Sequence, residues 1–148
     1  MTVKEVKLTE EIIEQLISLS EDWEKENSCH GYVKNTLDDI GGNRVFLAIE
    51  DDTVIGYLLG HKEVAEKKTS IYQAGTEHFE IEELYVKPAF RNRGIGKMLF
   101  QYTEREVAAE ADMITLSTAT KNYKAILHFY ISELGMDFWN ARLFKKIR

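Results

Sequence analysis

The feature that most constrains the fold is the single proline, Pro88, and the run that follows it. Pro88 cannot donate a ladder hydrogen bond, so it ends the strand predicted over residues 78–86. Behind it stand Arg91, Asn92, Arg93, Gly94, Ile95, Gly96 and Lys97. Over residues 94–111 the apolar side chains Ile95, Met98, Leu99 and Tyr102 recur at helical spacing. The chain must therefore pass from strand to helix through a basic turn that contains glycine. Such a junction is an anion site. The first amides of a helix lack intrahelical partners, the dipole adds positive potential there, and glycine lets a ligand approach the backbone. Arg91, Arg93 and Lys97 add formal charge. The run is neither G-x-G-x-x-G nor G-x-x-x-x-G-K-[ST], so it lacks both the dinucleotide fingerprint and the P-loop. The competing reading is a glycine turn that caps an ordinary surface helix. Strand, proline, paired basic residues and two spaced glycines coincide here, and together they favour the anion site.

The remainder of the chain reads as one mixed α/β domain. Its 148 residues suit a single domain, residues 1–148, with a sizeable core. Residues 3–8 alternate as a strand, and Thr9 is a helix cap ahead of Ile12, Leu16, Leu19 and Trp23. A short helix is predicted over residues 33–40. Residues 44–50 and 53–60 form a greasy hairpin about Asp51-Asp52, and residues 62–76 form a polar loop. Residues 113–117 form a strand and residues 122–134 a helix. Residues 136–139 and 141–145 form a closing hairpin about Asn140. This order implies a central sheet flanked by helices.

Net charge is −6, which disfavours nucleic acid as a partner. No stretch is long and apolar enough to span a bilayer. Cys29 is the sole cysteine, so no internal disulfide forms. The N-terminus has no apolar run behind a basic start. The default expectation is a cytoplasmic enzyme. His30, His61, His78 and His128 are scattered without metal-ligand spacing, and no metal is expected.

The segment V-K-P-A-F-R-N-R-G-I-G-K-M-L resembles the acetyl-CoA-binding signature of the GNAT superfamily of N-acetyltransferases, with Arg91, Gly94 and Gly96 at the defining positions. The order of elements is similar over nearly the whole chain. The resemblance implies a mixed sheet of six to seven strands with helices on both faces and a splay between the fourth and fifth strands. It implies acetyl-CoA as cosubstrate and acetyl transfer to the primary amine of a small molecule or peptide, by direct attack in a ternary complex. The amides of residues 91–97 would bind the pyrophosphate. The strand end Leu84, Tyr85 and Val86 would hold the pantetheine arm, and the Val86 amide would polarise the thioester carbonyl. A second stretch, residues 122–136, is similar to the family's N-x-x-A…F-Y…L-G-F segment. It places Asn122 and Phe129 at the cofactor and Tyr130 near the sulfur, with one residue more between Asn122 and Tyr130 than the common spacing. The resemblance also implies a homodimer joined through C-terminal strands, to which Phe138, Trp139 and Phe144 would offer an apolar patch.

An ammonium must lose a proton before it attacks, and the leaving thiolate gains from receiving one. Tyr130 is the candidate acid; as a packing residue it would only fill the core. The candidate base is Glu82, then Glu80. Strict alternation puts Glu80, Glu82, Leu84 and Val86 on one face, and Glu83 and Tyr85 on the other. The bland reading of these carboxylates is a solvated sheet surface. Cys29 beside His30 is an ordinary thiol and not a nucleophile. Residues 23–40 and 62–76 are expected to supply the acceptor site. The alternative function is a non-catalytic acyl-CoA-binding or regulatory domain. A nucleotide-binding module on the same anion site is a third reading.

Overall fold

The computed structural model describes residues 1–148. Strand β1 (Thr2–Val6) leads through Thr9 into helix α1 (Glu10–Glu26). The Thr9 hydroxyl accepts from the Ile12 amide at 3.2 Å, the cap that the sequence calls for. Helix α2 (Leu37–Ile40) is shorter than predicted. Its expected first residues are not helical, because the Lys34 amide donates to Glu24 and the Asn35 amide to Ser20, each at 2.9 Å. Strands β2 (Arg44–Glu50) and β3 (Thr53–Val64) form the hairpin, and β3 runs four residues past Gly60. Strand β4 (Glu77–Val86) follows. A 3-10 turn (Pro88–Phe90), helix α3 (Ile95–Val107), strand β5 (Met113–Leu116), helix α4 (Tyr123–Leu127) and a π-helical turn (His128–Glu133) complete the regular structure.

The sheet has five strands in the order β1-β2-β3-β4-β5. The first four are antiparallel neighbours. β5 lies parallel to β4, because α3 carries the chain back across the sheet between them. Alternation in β2 feeds both faces. Val45 and Leu47 meet Leu16 and Leu19 of α1, while Phe46 and Ala48 lie beneath Ile95, Leu99 and Phe100 of α3. Leu16, Leu58 and Leu99 are wholly buried. Each such leucine contributes about 1.5–3 kcal/mol, so the sheet is clamped from both sides. No helix is long and apolar enough to cross a membrane.

The parallel ladder ends at Ile81 and Leu116. Beyond it β4 continues to Val86 without a ladder partner on that side, which leaves a gap where the splay between the fourth and fifth strands was expected.

The expected six to seven strands are corrected to five, and the closing hairpin about Asn140 does not form. Residues 137–148 make no backbone–backbone hydrogen bond. The sheet edge on that side is β5, only four residues long. Trp139 instead docks on the 65–76 loop: its Nε1 donates to Ser70 at 2.7 Å and its ring meets Tyr72 edge-on at 5.6 Å.

Candidate functional site

At the end of β4 the Lys87 amide donates to the Ile55 carbonyl at 2.8 Å. In an antiparallel ladder alternate residues bond to the same neighbour, so the peptide groups of Leu84 and Val86 face the gap and those of Tyr85 face β3. The Tyr85 side chain turns into the α1 face, away from the slot, and lies close to Glu26. Burial and then the Glu26 charge push its hydroxyl up to about 12.

Past the 3-10 turn, Asn92 (φ 63°) and Gly94 (φ 78°) are left-handed, and Gly94 caps α3 without side-chain help. The amides of residues 92–97 donate to no acceptor within the chain. A Cβ placed on Gly94 would meet nothing within 4 Å, so the amides adjoin open space. Free amides at a helix start, facing open space, fit a diphosphate. Phe129 closes over the first turn of α3, with its ring 3.4 Å from where a Gly96 Cβ would stand. Asn122 lies exposed at the start of α4.

The arginines are placed differently from the charge-supplying role read from the sequence. Arg91 folds back: Nε donates to the Val86 carbonyl at 2.8 Å and the guanidinium pairs with Glu26 at 2.8 Å. Arg93 pairs with Glu50 at 3.2 Å. Their charges are already matched, which leaves Lys97 and the backbone amides to supply positive potential.

Behind α4 the chain forms a π-helical turn (His128–Glu133). A wider turn absorbs an inserted residue without displacing what lies on either side, and it accounts for the extra residue before Tyr130. The Tyr130 ring packs near Phe129 (5.1 Å) and Phe100 (6.4 Å). Its hydroxyl has no side-chain hydrogen bond. Burial, then the nearby Cys29, raises it to about 12, so it is a protonated donor at neutral pH. Cys29 is brought there by a short bridge with Thr120, in which the His30 amide donates to Ala119 at 2.9 Å.

The face assignment of the glutamates is corrected. Leu59 pairs with Glu83, but the next residue, Gly60, pairs with Ile81, so Glu82 is an extra residue in a β-bulge. A Cβ on Gly60 would stand 2.6 Å from the Glu80 carbonyl and 2.5 Å from the Phe79 ring, so the close approach requires glycine. The bulge inverts the alternation. Phe79 and Ile81 join Leu84 and Val86 on the α3 side, while Glu80, opposite His61, falls on the same side as Glu83 and Tyr85. Glu80 accepts a short hydrogen bond from Thr115, which ties it to β5.

Glu83, passed over in the sequence reading, is the most embedded of the three. It accepts from Tyr57 (2.7 Å), Asn35 (2.7 Å) and Tyr32 (3.1 Å). Burial raises its pKa, and these bonds pull it back in part. Tyr32 stacks on Trp23 at 4.4 Å, and Trp23 on Tyr85 at 5.2 Å. The signal in the sequence was the acid run itself, since glutamates at 80, 82 and 83 cannot all obey a period of two.

Glu82 and Glu83 line a cleft of about 530 Å³ with Asn35, Asp39, Gly41, Gly42, Asn43, Leu59, His61 and Lys62. Three carboxylates face this space, and its one lysine pairs with Glu77 at 3.0 Å. Of the two segments expected at the acceptor, the first contributes Asn35 and Asp39 and the second only Lys62. The lining carries more carboxylates than cations, a balance that favours a cationic ligand.

The sequence matches the acetyltransferase (GNAT) family over residues 11–136. No curated protein sequence matches it. Solved structures share the fold. The aminoglycoside N-acetyltransferase AAC(6')-Iy in complex with CoA is 16% identical with a TM-score of 0.68, covering 99% of each chain. The aminoglycoside acetyltransferase meta-AAC0020 from an uncultured soil metagenomic sample, in complex with sisomicin, is 19% identical with a TM-score of 0.68, covering 99% of this chain and 97% of the other. A transcriptional regulator from Bacillus halodurans C-125 is 22% identical with a TM-score of 0.70, covering 99% and 100%.

Proposed function

Because this chain belongs to the acetyltransferase (GNAT) family, we propose that it moves an acetyl group from acetyl-CoA to a cationic primary amine by direct attack in a ternary complex. The observation that carries this reading is the run of free amides at residues 92–97 at the start of α3, with an acid-lined cleft built on the same strand, β4, that leads into it. The CoA complex of the AAC(6')-Iy neighbour supports coenzyme A as the ligand of those amides.

Acetyl-CoA supplies the activated thioester. The amides of residues 92–97 and Lys97 hold the pyrophosphate, and Leu84 and Val86 offer peptide groups to the pantetheine arm. The Val86 amide stabilises negative charge on the carbonyl oxygen. Phe129 closes the slot over α3, and Asn122 flanks it. Glu82 is exposed on the bulge at the cleft and has no hydrogen bond of its own. It takes the proton of the amine, directly or through water. Tyr130 gives a proton to the leaving sulfur. Glu83, saturated by three donors, is structural.

A thiol-release assay with acetyl-CoA across polyamines, aminoglycosides, amino acids and peptides tests the reading. We expect CoA thiol to be released with at least one cationic amine. Calorimetric binding of CoA with no release in the presence of any amine would overturn it in favour of an acyl-CoA-binding domain.

The free thiol of Cys29 suits a reducing compartment, and we extend the proposal to the cytoplasm. We also extend it to a homodimer. Leu143, Phe144 and Ile147 are 93%, 71% and 87% exposed on a tail whose backbone is unpaired, a costly arrangement for apolar residues unless a partner covers them. Light scattering should give twice the chain mass, and the L143E/I147E double variant the monomer mass. A monomeric native chain would end this part of the reading.

A further inference from the structure

We propose that Arg91, braced by Glu26, is a positioning residue for the transfer step: it caps the Val86 carbonyl so that the Val86 amide alone meets the reacting oxygen. The inference rests on the acetyl-transfer reading above. It gives Arg91 a task at the thioester in place of the pyrophosphate charge read from the sequence.

The far end of β4 has a ladder partner on one side only. The parallel ladder stops at Ile81 and Leu116, short of Val86. On the other side the Lys87 amide donates to the Ile55 carbonyl at 2.8 Å. In an extended strand the N–H and C=O of one residue point the same way. Both polar groups of Val86 therefore stand side by side at the gap. When the amine nitrogen adds to the thioester carbon, the π pair of the C=O bond moves onto oxygen. Its return expels the CoA thiolate, which takes a proton from Tyr130. An oxygen that accepts from the Val86 amide comes close to the Val86 carbonyl oxygen, and an uncapped carbonyl would repel the growing charge.

Arg91 supplies the cap. Its Nε donates to the Val86 carbonyl at 2.8 Å, so the peptide between Val86 and Lys87 is held at both ends. Its Nη2 reaches both oxygens of Glu26, at 2.8 and 3.0 Å. Glu26 ends α1 and also accepts from the Tyr85 hydroxyl at 3.3 Å. The guanidinium rests against the Tyr85 ring, 5.4 Å from its centroid. Glu26 is 19% exposed against 40% for Arg91, so the pair is anchored from the α1 side. One planar fork makes all three bonds, which the single point charge of a lysine cannot do. Charge on the oxygen develops only in the transition state, so the cap acts on turnover and not on binding.

The test uses the full chain and an amine that the native protein acetylates. R91M should lower kcat about tenfold to thirtyfold, less than is lost with an oxyanion donor itself. Calorimetric CoA affinity and KM for the amine should stay within about twofold of native. R91K keeps the charge but not the fork, and should fall about as far. E26Q should fall about threefold to tenfold, because a neutral amide grips the guanidinium less firmly. The double variant R91M/E26Q should fall no further than R91M, since Glu26 acts only through Arg91. Should R91M fail to melt cooperatively, R91K carries the same comparison. A loss of CoA affinity at unchanged kcat would show Arg91 to be a pyrophosphate ligand. Additive losses in the double variant would show Glu26 to act by itself. Either result, or native-like kcat in R91M or R91K, overturns the brace and leaves the acetyl-transfer reading standing. A native protein that binds CoA and acetylates no amine overturns that reading, and the brace with it.

Discussion

Replacing Gly94 with valine should lower the affinity for coenzyme A about a hundredfold or more while the protein stays folded. A β-branched residue at φ 78° costs about 1–3 kcal/mol of backbone strain, which is present with and without ligand and therefore lowers stability, not affinity. The affinity falls because the new side chain enters the open space beside the free amides and displaces the ligand from its donors. A loss of about 2.8 kcal/mol is a hundredfold, since each 1.4 kcal/mol is tenfold. The strain would lower the melting temperature by about 2–12 °C for a chain of this size. Calorimetry with coenzyme A reads the outcome. A companion K97A variant should lose only about threefold to tenfold, as befits one exposed charge. If G94V binds as tightly as the native chain, these amides are not the pyrophosphate site.

The second large effect separates the two adjacent glutamates. E82Q should reduce kcat about a hundredfold to a thousandfold with coenzyme A affinity intact, the loss expected when a general base is removed. E83Q should keep kcat within a few-fold, because an amide can still accept from Tyr57 and Asn35 and meet the Tyr32 hydroxyl. E83A should instead destabilise the fold by about 2–4 kcal/mol, since the wholly buried Tyr57 would lose its acceptor.

The pH dependence of stability gives an independent check. Burial raises the Glu83 pKa above its unfolded value. As pH rises the unfolded chain loses this proton first, so the contribution of Glu83 is fully present below the unfolded pKa and is lost as pH rises through the folded one. E83Q cannot ionise, so its stability should gain on the native protein as pH moves from acid to neutral in denaturant titrations. A native-like kcat for E82Q together with a collapse of kcat for a well-folded E83Q would reverse the assignment of the base.

Much of this was legible from local chemistry. Pro88 and Gly94 act through their own backbone constraints, so the strand–turn–helix junction and its free amides follow from residue type alone. Thr9 caps α1 by a contact three residues away, and the two greasy faces of β2 announce a sheet covered on both sides.

The cleft was less legible because its residues are joined across long sequence distances. Strict alternation wrongly separated Glu80 and Glu82 from Glu83, and the bulge that corrects it depends on Gly60 lying against Phe79 and Glu80 on the neighbouring strand. Asn35, Tyr57 and Glu83 meet only after α1, the hairpin and β4 have packed.

Arg91 and Arg93 looked available for a ligand because their partners, Glu26 and Glu50, lie 65 and 43 residues away. The C-terminal tail alternates well enough for strands, yet a strand exists only where a neighbour offers its backbone. By itself, then, the sequence determined what each short segment could become, because backbone restrictions and periodicity act within a few residues. The tertiary structure alone decided which carboxylates were paired, buried or free, because that depends on partners the chain reaches only by folding.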